Sequence, residues 1–208
     1  MIEFFFSIDK AIFVLGNVAL ANPVFDVFMP ILTDLNQAWY GRTLFAILWL
    51  LLIWKGGKKG RIVGLLLIPL IIMSDQLSSN VLKQIFARPR PCHEVNGVME
   101  ISDIHLLVPC GSGYSFPSSH AVNNFAAATL FSYYYRNWKW LAFALASLVA
   151  FSRIAVGVHY PSDVLGGSCL GVSFAFFIIF IWRLVERHYP QLLITPGNSF
   201  TSRSSVEE

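Results

Sequence analysis

The chain has 208 residues, of which 55% are hydrophobic and only 13% are charged, whereas about 25% charged residues is typical of soluble proteins. An ordinary soluble domain is therefore excluded, because one small core cannot bury this much apolar surface and lipid must cover the rest. A net charge of +3 without a long Lys/Arg run also argues against a nucleic-acid partner. The composition predicts a polytopic protein of the lipid bilayer.

Apolar stretches of membrane-crossing length follow one another along the chain, at roughly residues 42–54, 62–87, 120–135, 138–158 and 162–182. Charges and prolines interrupt residues 4–36, where we expect one further crossing, with an interfacial helix as the alternative for the segment that does not cross. The predicted fold is an all-α polytopic bundle of about six transmembrane helices. Residues 1–189 form its membrane domain, and the polar residues 190–208 are predicted to be a disordered cytoplasmic tail.

Basic residues in the short connections predict the orientation, since such residues are retained on the cytoplasmic side. They occur after the first of these stretches, near residue 137 and after the last stretch: Lys55, Lys58, Lys59, Arg61, Arg136, Lys139, Arg183 and Arg187. The long loop 91–116 contains no Lys or Arg and is predicted to lie outside. The predicted location is the inner membrane of the cell, with this loop in the periplasm or exterior.

The cysteines do not have metal-binding spacing. Cys92 and Cys110 bracket the external loop and are predicted to form a disulfide in an oxidising compartment, with two free thiols as the alternative. Cys169 lies inside a predicted span and is expected to be a small packing residue.

Two basic residues lie near the outer end of the 62–87 stretch. Lys83 and Arg90 are seven residues apart, close to two helical turns, so both are expected to point the same way before Pro89 and Pro91 end the helix. The alternative is that such residues only extend to the lipid headgroups.

The segment from Phe116 to His120 precedes the next apolar stretch. Pro117 favours a first helical position, which would leave the amides of Ser118, Ser119 and His120 without intrahelical partners. Free amides at the positive end of a helix bind anions. A serine-rich cap with a structural histidine is the alternative.

A third segment combines Arg153 with His159 and Asp163. Asp163 follows His159 by four residues and can accept from one ring nitrogen, which leaves the other as a free lone pair for nucleophilic attack. Taken alone, this pair is equally compatible with a surface contact near a helix start.

All three segments end at the same membrane face, however, and cations with two histidines suit phosphoryl transfer. No Asp, Glu and His cluster has metal-ligand spacing there, so neither a metal nor another cofactor is predicted.

These residues resemble the signature of the type 2 phosphatidic acid phosphatase (PAP2) superfamily, which is Lys-x6-Arg-Pro, Pro-Ser-Gly-His and Ser-Arg-x5-His-x3-Asp. The corresponding residues here are Lys83, Arg90-Pro91, Pro117-Ser118-Ser119-His120, Ser152-Arg153, His159 and Asp163. The one departure is Ser119, which stands where the signature has Gly. If this position contributes its backbone amide, Ser can serve, although its side chain would narrow the pocket.

The resemblance implies a metal-independent membrane phosphatase that works through a phosphohistidine. His159 would attack phosphorus, Asp163 would orient it, and His120 would protonate the departing oxygen. Several residues would bind the phosphate oxygens: Lys83, Arg90, Ser118, Ser119 and Arg153. The expected substrate is a membrane lipid phosphate or diphosphate, such as undecaprenyl diphosphate, phosphatidylglycerol phosphate, phosphatidate or a lipid A-like glycolipid, and no obligate protein partner is inferred.

The sequence also leaves two other functions open. A lipid phosphotransferase would use the same phosphohistidine with a sugar or alcohol as acceptor. A transporter has only Asp75 in its favour, an ionisable residue within the 62–87 stretch. Because Ser74, Ser78, Ser79 and Asn80 surround Asp75, we instead expect a buried hydrogen-bond network there.

Overall fold

The computed structural model describes residues 2–95, 97–99, 101 and 103–189, and the predicted tail 190–208 lies outside them. The described residues are mostly helical, and the strands among them form one short hairpin, which confirms the all-α prediction. The helices are α1 (Ile2–Val14), α2 (Pro23–Asp34), α3 (Trp39–Lys55), α4 (Gly57–Gln76), α5 (Lys83–Phe86), α6 (Ser119–Tyr134), α7 (Lys139–Ala155) and α8 (Pro161–His188). Two π-helical segments, Leu15–Ala19 and Leu77–Leu82, and one 3-10 turn, Arg136–Trp138, complete the helical part.

All five apolar stretches are helical, but they differ in length. Within the described residues, the segments long and apolar enough to cross a membrane are Gly57–Phe86, Arg136–Ala155 and Pro161–His188. Helices α3 and α6 have 17 and 16 residues, somewhat fewer than the roughly 20 that a crossing requires. The expected number of about six spans is therefore approximate.

The centre of the bundle is α6, which packs against α4, α7 and α8. Small residues permit this close packing: a side chain at Gly171 of α8 would meet the backbone nitrogen of Ala126 at 2.9 Å. Around this contact, buried apolar side chains of three helices form a continuous core: Val63, Leu66, Leu70, Ala126, Leu130, Ala175 and Ile179. The polar residues described below thus rest on a rigid support.

Helices α1 and α2 form an N-terminal pair bent by 113°. The bend follows from Asn22, whose side-chain oxygen accepts from the amides of Val24 and Phe25 and begins α2 anew, with Pro23 at its first position. This geometry allows one broken span or a re-entrant pair. Asn17 binds the carbonyl oxygens of His105 and Ala155, so the bend lies against the 103–116 loop.

The loop between α5 and α6 contains a hairpin, β1 (Glu94–Val95) and β2 (Val98–Met99), paired in antiparallel fashion. In this structure Cys92 and Cys110 are joined by a disulfide, with Cα atoms 6.1 Å apart. Cys169 is free and exposed on α8, so its expected packing role was wrong: the face of α8 that carries it points away from the bundle.

Candidate active site

Four helix ends meet at one end of the bundle, called here the site end. The helical run from α4 to α5 reaches it with Lys83, and α6 leaves it with His120. Helix α7 returns to it with Arg153, and α8 begins there with Asp163 close to its start. Because these helices alternate in direction, residues distant in sequence are brought together.

The three predicted phosphate-binding cations share one region. Lys83 is close enough to Arg90 and Arg153 to experience the repulsion of both charges. Arg153 is 8% exposed; it donates through Nη1 to the Thr33 hydroxyl at 2.5 Å, while its Nε has no partner among the described residues. Like charges held together with unused buried donors favour a multiply charged anion between them.

Arg90 reaches this region from the loop, which corrects the expected position on a continuous helix. Helix α5 ends at Phe86 because Ala87 adopts a left-handed conformation with φ of 44°. Arg90 is then anchored through Nε to the Gly113 carbonyl at 2.8 Å and, more weakly, through Nη1 to the Val158 carbonyl at 3.4 Å. Burial lowers the pKa of Arg90, and attraction by Asp163 opposes this change.

The start of α6 also differs from the expectation. The peptide before Pro117 is cis, and the helix begins at Ser119 with Ser118 as its N-cap residue. The Ser118 amide is not free, because it donates to the Asp163 carbonyl at 3.1 Å. The Ser118 hydroxyl is buried without a partner among the described residues, whereas the Ser119 hydroxyl is bonded to Ser79 at 2.9 Å. Ser118 is thus the more available side chain of the two.

His159 and Asp163 are adjacent, but less directly bonded than expected. Nδ1 of His159 lies 3.6 Å from Oδ2 of Asp163, beyond normal hydrogen-bond range. Burial lowers the pKa of His159 to about 3, against the opposing attraction of Asp163. The imidazole is therefore neutral near pH 7 and retains a nitrogen lone pair.

Asp163 is saturated by other donors. Its Oδ1 accepts from Nη1 of Arg88 at 2.6 Å, and its Oδ2 accepts from the Tyr160 amide at 2.8 Å and from the Ser115 hydroxyl. The carboxylate is completely buried. Its charge is thus compensated by Arg88, so it does not cancel the positive charge of the other cations.

Arg88 links Asp163 to the N-terminal helix. Its Nη2 donates to Asp9 of α1 at 2.7 Å, and Asp9 also accepts from the amide and the hydroxyl of Ser162 at 2.8 and 2.5 Å. Tyr160 lies beneath the guanidinium, with 4.2 Å from Cζ to the ring centre. Arg88 therefore bridges two buried carboxylates and fixes α1 to the first turn of α8.

His120 is held by α2. Its Nε2 lies 3.1 Å from the Thr33 carbonyl oxygen, and the Thr33 hydroxyl is the group that accepts from Arg153. His120 is also within electrostatic reach of Arg153, His159 and Lys83. Both histidines and all three cations consequently lie close together at the site end.

A model of the PAP2 superfamily matches residues 63–188 of this chain. The chain belongs to this superfamily. As a PAP2 protein it is a membrane phosphatase, a hydrolase of phosphate esters, so the predicted family and enzyme class are confirmed.

Curated and solved relatives agree with this PAP2 assignment. A lipid A 4'-phosphatase of Porphyromonas gingivalis is 29% identical over 179 residues, which cover 85% of this chain and 73% of that protein. An undecaprenyl-diphosphatase, BcrC, of Bacillus subtilis is 28% identical over 82% of this chain and 80% of its own length. The crystal structure of a transmembrane PAP2 type phosphatidylglycerolphosphate phosphatase from Bacillus subtilis has a TM-score of 0.65 with 26% identity, covering 87% of each chain.

Sequence reasoning missed several residues of this PAP2 site. Thr33 and Ser115 gave no local signal, because their partners are 48 to 120 residues away in sequence. Arg88 lies between Lys83 and Arg90 but is not a signature position, so the motif assigns it no role. Asp9 did have a signal, since a charge inside an apolar stretch marks a functional or paired group.

The network around Asp75 is present in part. Asn123 of α6 donates to Asp75 at 3.1 Å and accepts from the Ser74 hydroxyl at 2.6 Å. The Ser78 hydroxyl donates to the backbone carbonyl of Asp75 and not to its side chain, and Asn80 bonds to Gln76 on the exposed side. The network thus joins α4 to α6 below the PAP2 site.

The burial of His159 predicts a dependence of stability on pH. The unfolded chain binds a proton on this ring below a pH of about 6.5, whereas the folded protein does so only near 3. The contribution of His159 to the free energy of unfolding is therefore fully present above about pH 6.5 and is lost as the pH falls toward about 3. At about pH 5 the loss is about 2 kcal/mol. Thermal unfolding of the wild type and His159→Asn should show a smaller loss in the variant between neutral pH and about pH 5; equal losses would contradict the assignment.

Proposed function

We propose that this PAP2 phosphatase removes phosphate from a lipid phosphomonoester or diphosphate at the periplasmic face of the inner membrane, through a phosphohistidine. One observation carries the proposal: a neutral, buried His159 lies within electrostatic reach of Arg153 and Arg90, while the charge of Asp163 is already compensated by Arg88. A basic volume next to a neutral nucleophile favours an oxyanion under attack.

In the proposed first step, a ring nitrogen of His159 forms a bond to phosphorus as the bond from phosphorus to the lipid oxygen breaks. His120, protonated once the anionic phosphate is bound beside it, gives its proton to that oxygen, which leaves as the lipid alcohol, or as a lipid monophosphate when the substrate is a diphosphate. Asp163 stabilises the positive charge on the phosphorylated imidazole. Charge on the phosphoryl oxygens is stabilised by Lys83, Arg90, Arg153 and the Ser118 hydroxyl.

In the proposed second step, His120, now neutral, takes a proton from water, and the water oxygen bonds to phosphorus. The bond from phosphorus to His159 breaks, which releases inorganic phosphate and returns both histidines to their starting forms. The Ser119 hydroxyl is occupied by Ser79, so Ser119 is proposed to contribute its backbone amide at the start of α6.

Two features support the periplasmic orientation. The disulfide between Cys92 and Cys110 is adjacent to the site end, and disulfides persist in oxidising compartments. The basic residues of the short connections lie at the other end of the bundle, as the retention of Lys and Arg in the cytoplasm requires.

The substrate is proposed to be a lipid whose chains stay in the bilayer, as the named substrates of the relatives suggest: lipid A and undecaprenyl diphosphate. The experiment is phosphate release by purified protein across lipid A, undecaprenyl diphosphate, phosphatidylglycerol phosphate and phosphatidate, with a water-soluble phosphate ester as the control. We expect release from at least one lipid without an added acceptor. Phosphate transfer only when a sugar or alcohol acceptor is supplied would identify a phosphotransferase instead.

Activity is expected to persist in excess EDTA, because the cations surrounding the phosphate take the role that Mg²⁺ has in other phosphoryl-transfer enzymes. Among the described residues, no three His, Cys, Asp or Glu side chains form a group that could hold a metal ion. Phosphate release should be measured with EDTA and again after Mg²⁺ is restored. A loss with EDTA that Mg²⁺ reverses would contradict the proposed charge balance.

A further inference from the structure

A basic cavity lies at the opposite end of the bundle from the site end. Its volume is about 840 Å³, and it is lined by the start of α4, the end of α6, the 3-10 turn that follows, and the end of α8. These elements lie at the opposite ends of the helices whose other ends carry the active-site residues. The cavity therefore opens at the other membrane surface.

The charge of this cavity is predominantly positive. Lys59, Arg136 and Arg183 line it, together with a single carboxylate, Glu186. Glu186 is held by the indole nitrogen of Trp182 at 2.9 Å and lies 3.8 Å from Arg183. Within the part of the chain that the structure describes, the side chains of Lys59 and Arg136 have no hydrogen-bond or ion-pair partner, so their positive charge has no counterion among those residues.

One of these cations is fixed in place. Nε and Nη2 of Arg183 donate to the Tyr133 hydroxyl at 3.0 and 2.7 Å, and Cζ of Arg183 lies 5.7 Å from the ring centre. Arg183 nevertheless keeps 59% of its side chain exposed. A guanidinium held by one edge and open on the other is prepared for an oxyanion, because little side-chain freedom is lost when the anion binds.

The surroundings fit a lipid. Trp138 lines the cavity and is 58% exposed, and Trp140 beside it is 77% exposed with the Lys139 ammonium 5.0 Å from its ring centre. Such aromatic rings usually lie at headgroup level. Basic pockets between helices at the cytoplasmic surface bind anionic headgroups, and acyl chains can extend from this mouth along the apolar surface of the bundle.

We infer that this cavity binds the phosphate headgroup of an anionic phospholipid from the leaflet opposite the active site. The lipid bridges the start of the helical run from α4 to α5, the connection between α6 and α7, and the end of α8. The opposite ends of these helices carry Lys83, His120, Arg153 and Asp163. The lipid is a structural ligand of the bundle and not a substrate, since the cavity contains neither of the catalytic histidines.

The test is native mass spectrometry of the full chain released from bilayers that contain phosphatidylglycerol and phosphatidylcholine. The wild type should retain phosphatidylglycerol in preference to phosphatidylcholine. Arg136→Gln combined with Arg183→Gln should weaken this retention by roughly 25-fold, since each surface charge contributes about a factor of five. Arg187→Gln is the matched control, because Arg187 has the same charge, lies one turn further along α8 and does not line the cavity.

Equal retention of phosphatidylglycerol by the double variant and by Arg187→Gln would overturn the inference, as would equal retention of the two lipids by the wild type. An excess of inorganic phosphate distinguishes a headgroup from a free ion: complete displacement of the lipid by phosphate would also overturn it. Phosphate release, measured on the same preparations, should survive in all variants because the active site is at the other end. If the double variant loses this activity as well, Arg136→Gln alone decides, since its side chain is exposed and forms no hydrogen bond or ion pair with the described residues.

Discussion

Replacing His159 with alanine should lower phosphate release by at least about 10⁴-fold, because the proposed nucleophile is lost and no other group can form the phosphoryl intermediate. The variant should still fold. His159 has no side-chain hydrogen bond that the fold depends on, and its Nδ1 is unpartnered among the described residues. The measurement is phosphate release from the best lipid substrate, with thermal unfolding of the same preparation.

His188→Ala is a suitable control, since His188 is exposed at the far end of α8 and should turn over at the wild-type rate. The wild type should also retain acid-labile phosphate on the protein when the reaction is quenched early, and His159→Ala should not. Ordinary turnover by His159→Ala would remove the phosphohistidine from the mechanism.

Replacing Asp163 with asparagine should lower kcat by about 10³ to 10⁴-fold, the range seen when a histidine loses the carboxylate that stabilises its imidazolium. The amide is nearly the same size but carries no charge. The NH2 group of the asparagine side chain would also face Arg88 or the Ser115 hydroxyl, and both of these groups donate to the carboxylate in the wild type. The comparison is kcat and KM for the same lipid.

Asp9→Asn provides a closely matched control. Like Asp163, Asp9 accepts from Arg88, from one backbone amide at the start of α8 and from one serine hydroxyl, but it is not paired with His159. We expect similar losses of stability from both variants and a fall in kcat of less than about tenfold from Asp9→Asn. Equal falls in kcat would show that Asp163 acts only by holding the fold together.

The helices and the shared location of the signature residues were predictable from sequence for a simple physical reason. Apolar stretches of about 20 residues must cross the bilayer, and short connections force successive helices to alternate in direction. Lys83 near the end of one helical run and His120 at the start of the next therefore had to meet at one end. Their roles as phosphate ligand and proton donor remain predictions.

The errors arose where backbone geometry changed over one or two residues. Helical periodicity placed Arg90 on the same helix as Lys83, but the left-handed Ala87 ends that helix earlier. Pro117 suggested the first helical position, but the Ser118 amide is used by the Asp163 carbonyl, so the helix begins later. The Ser118 contact depends on a partner 45 residues away in sequence, so no local pattern indicates it.

The part of the chain before residue 63 has a consequence for how small a working enzyme can be. Residues matched to the superfamily begin at 63, yet Asp9 anchors the bridge behind Asp163, and Thr33 contacts both His120 and Arg153. A truncated protein that keeps every signature residue but lacks α1 and α2 would lose the contacts of both Asp9 and Thr33. An active enzyme is thus expected to need residues of the N-terminal helices as well as the signature residues.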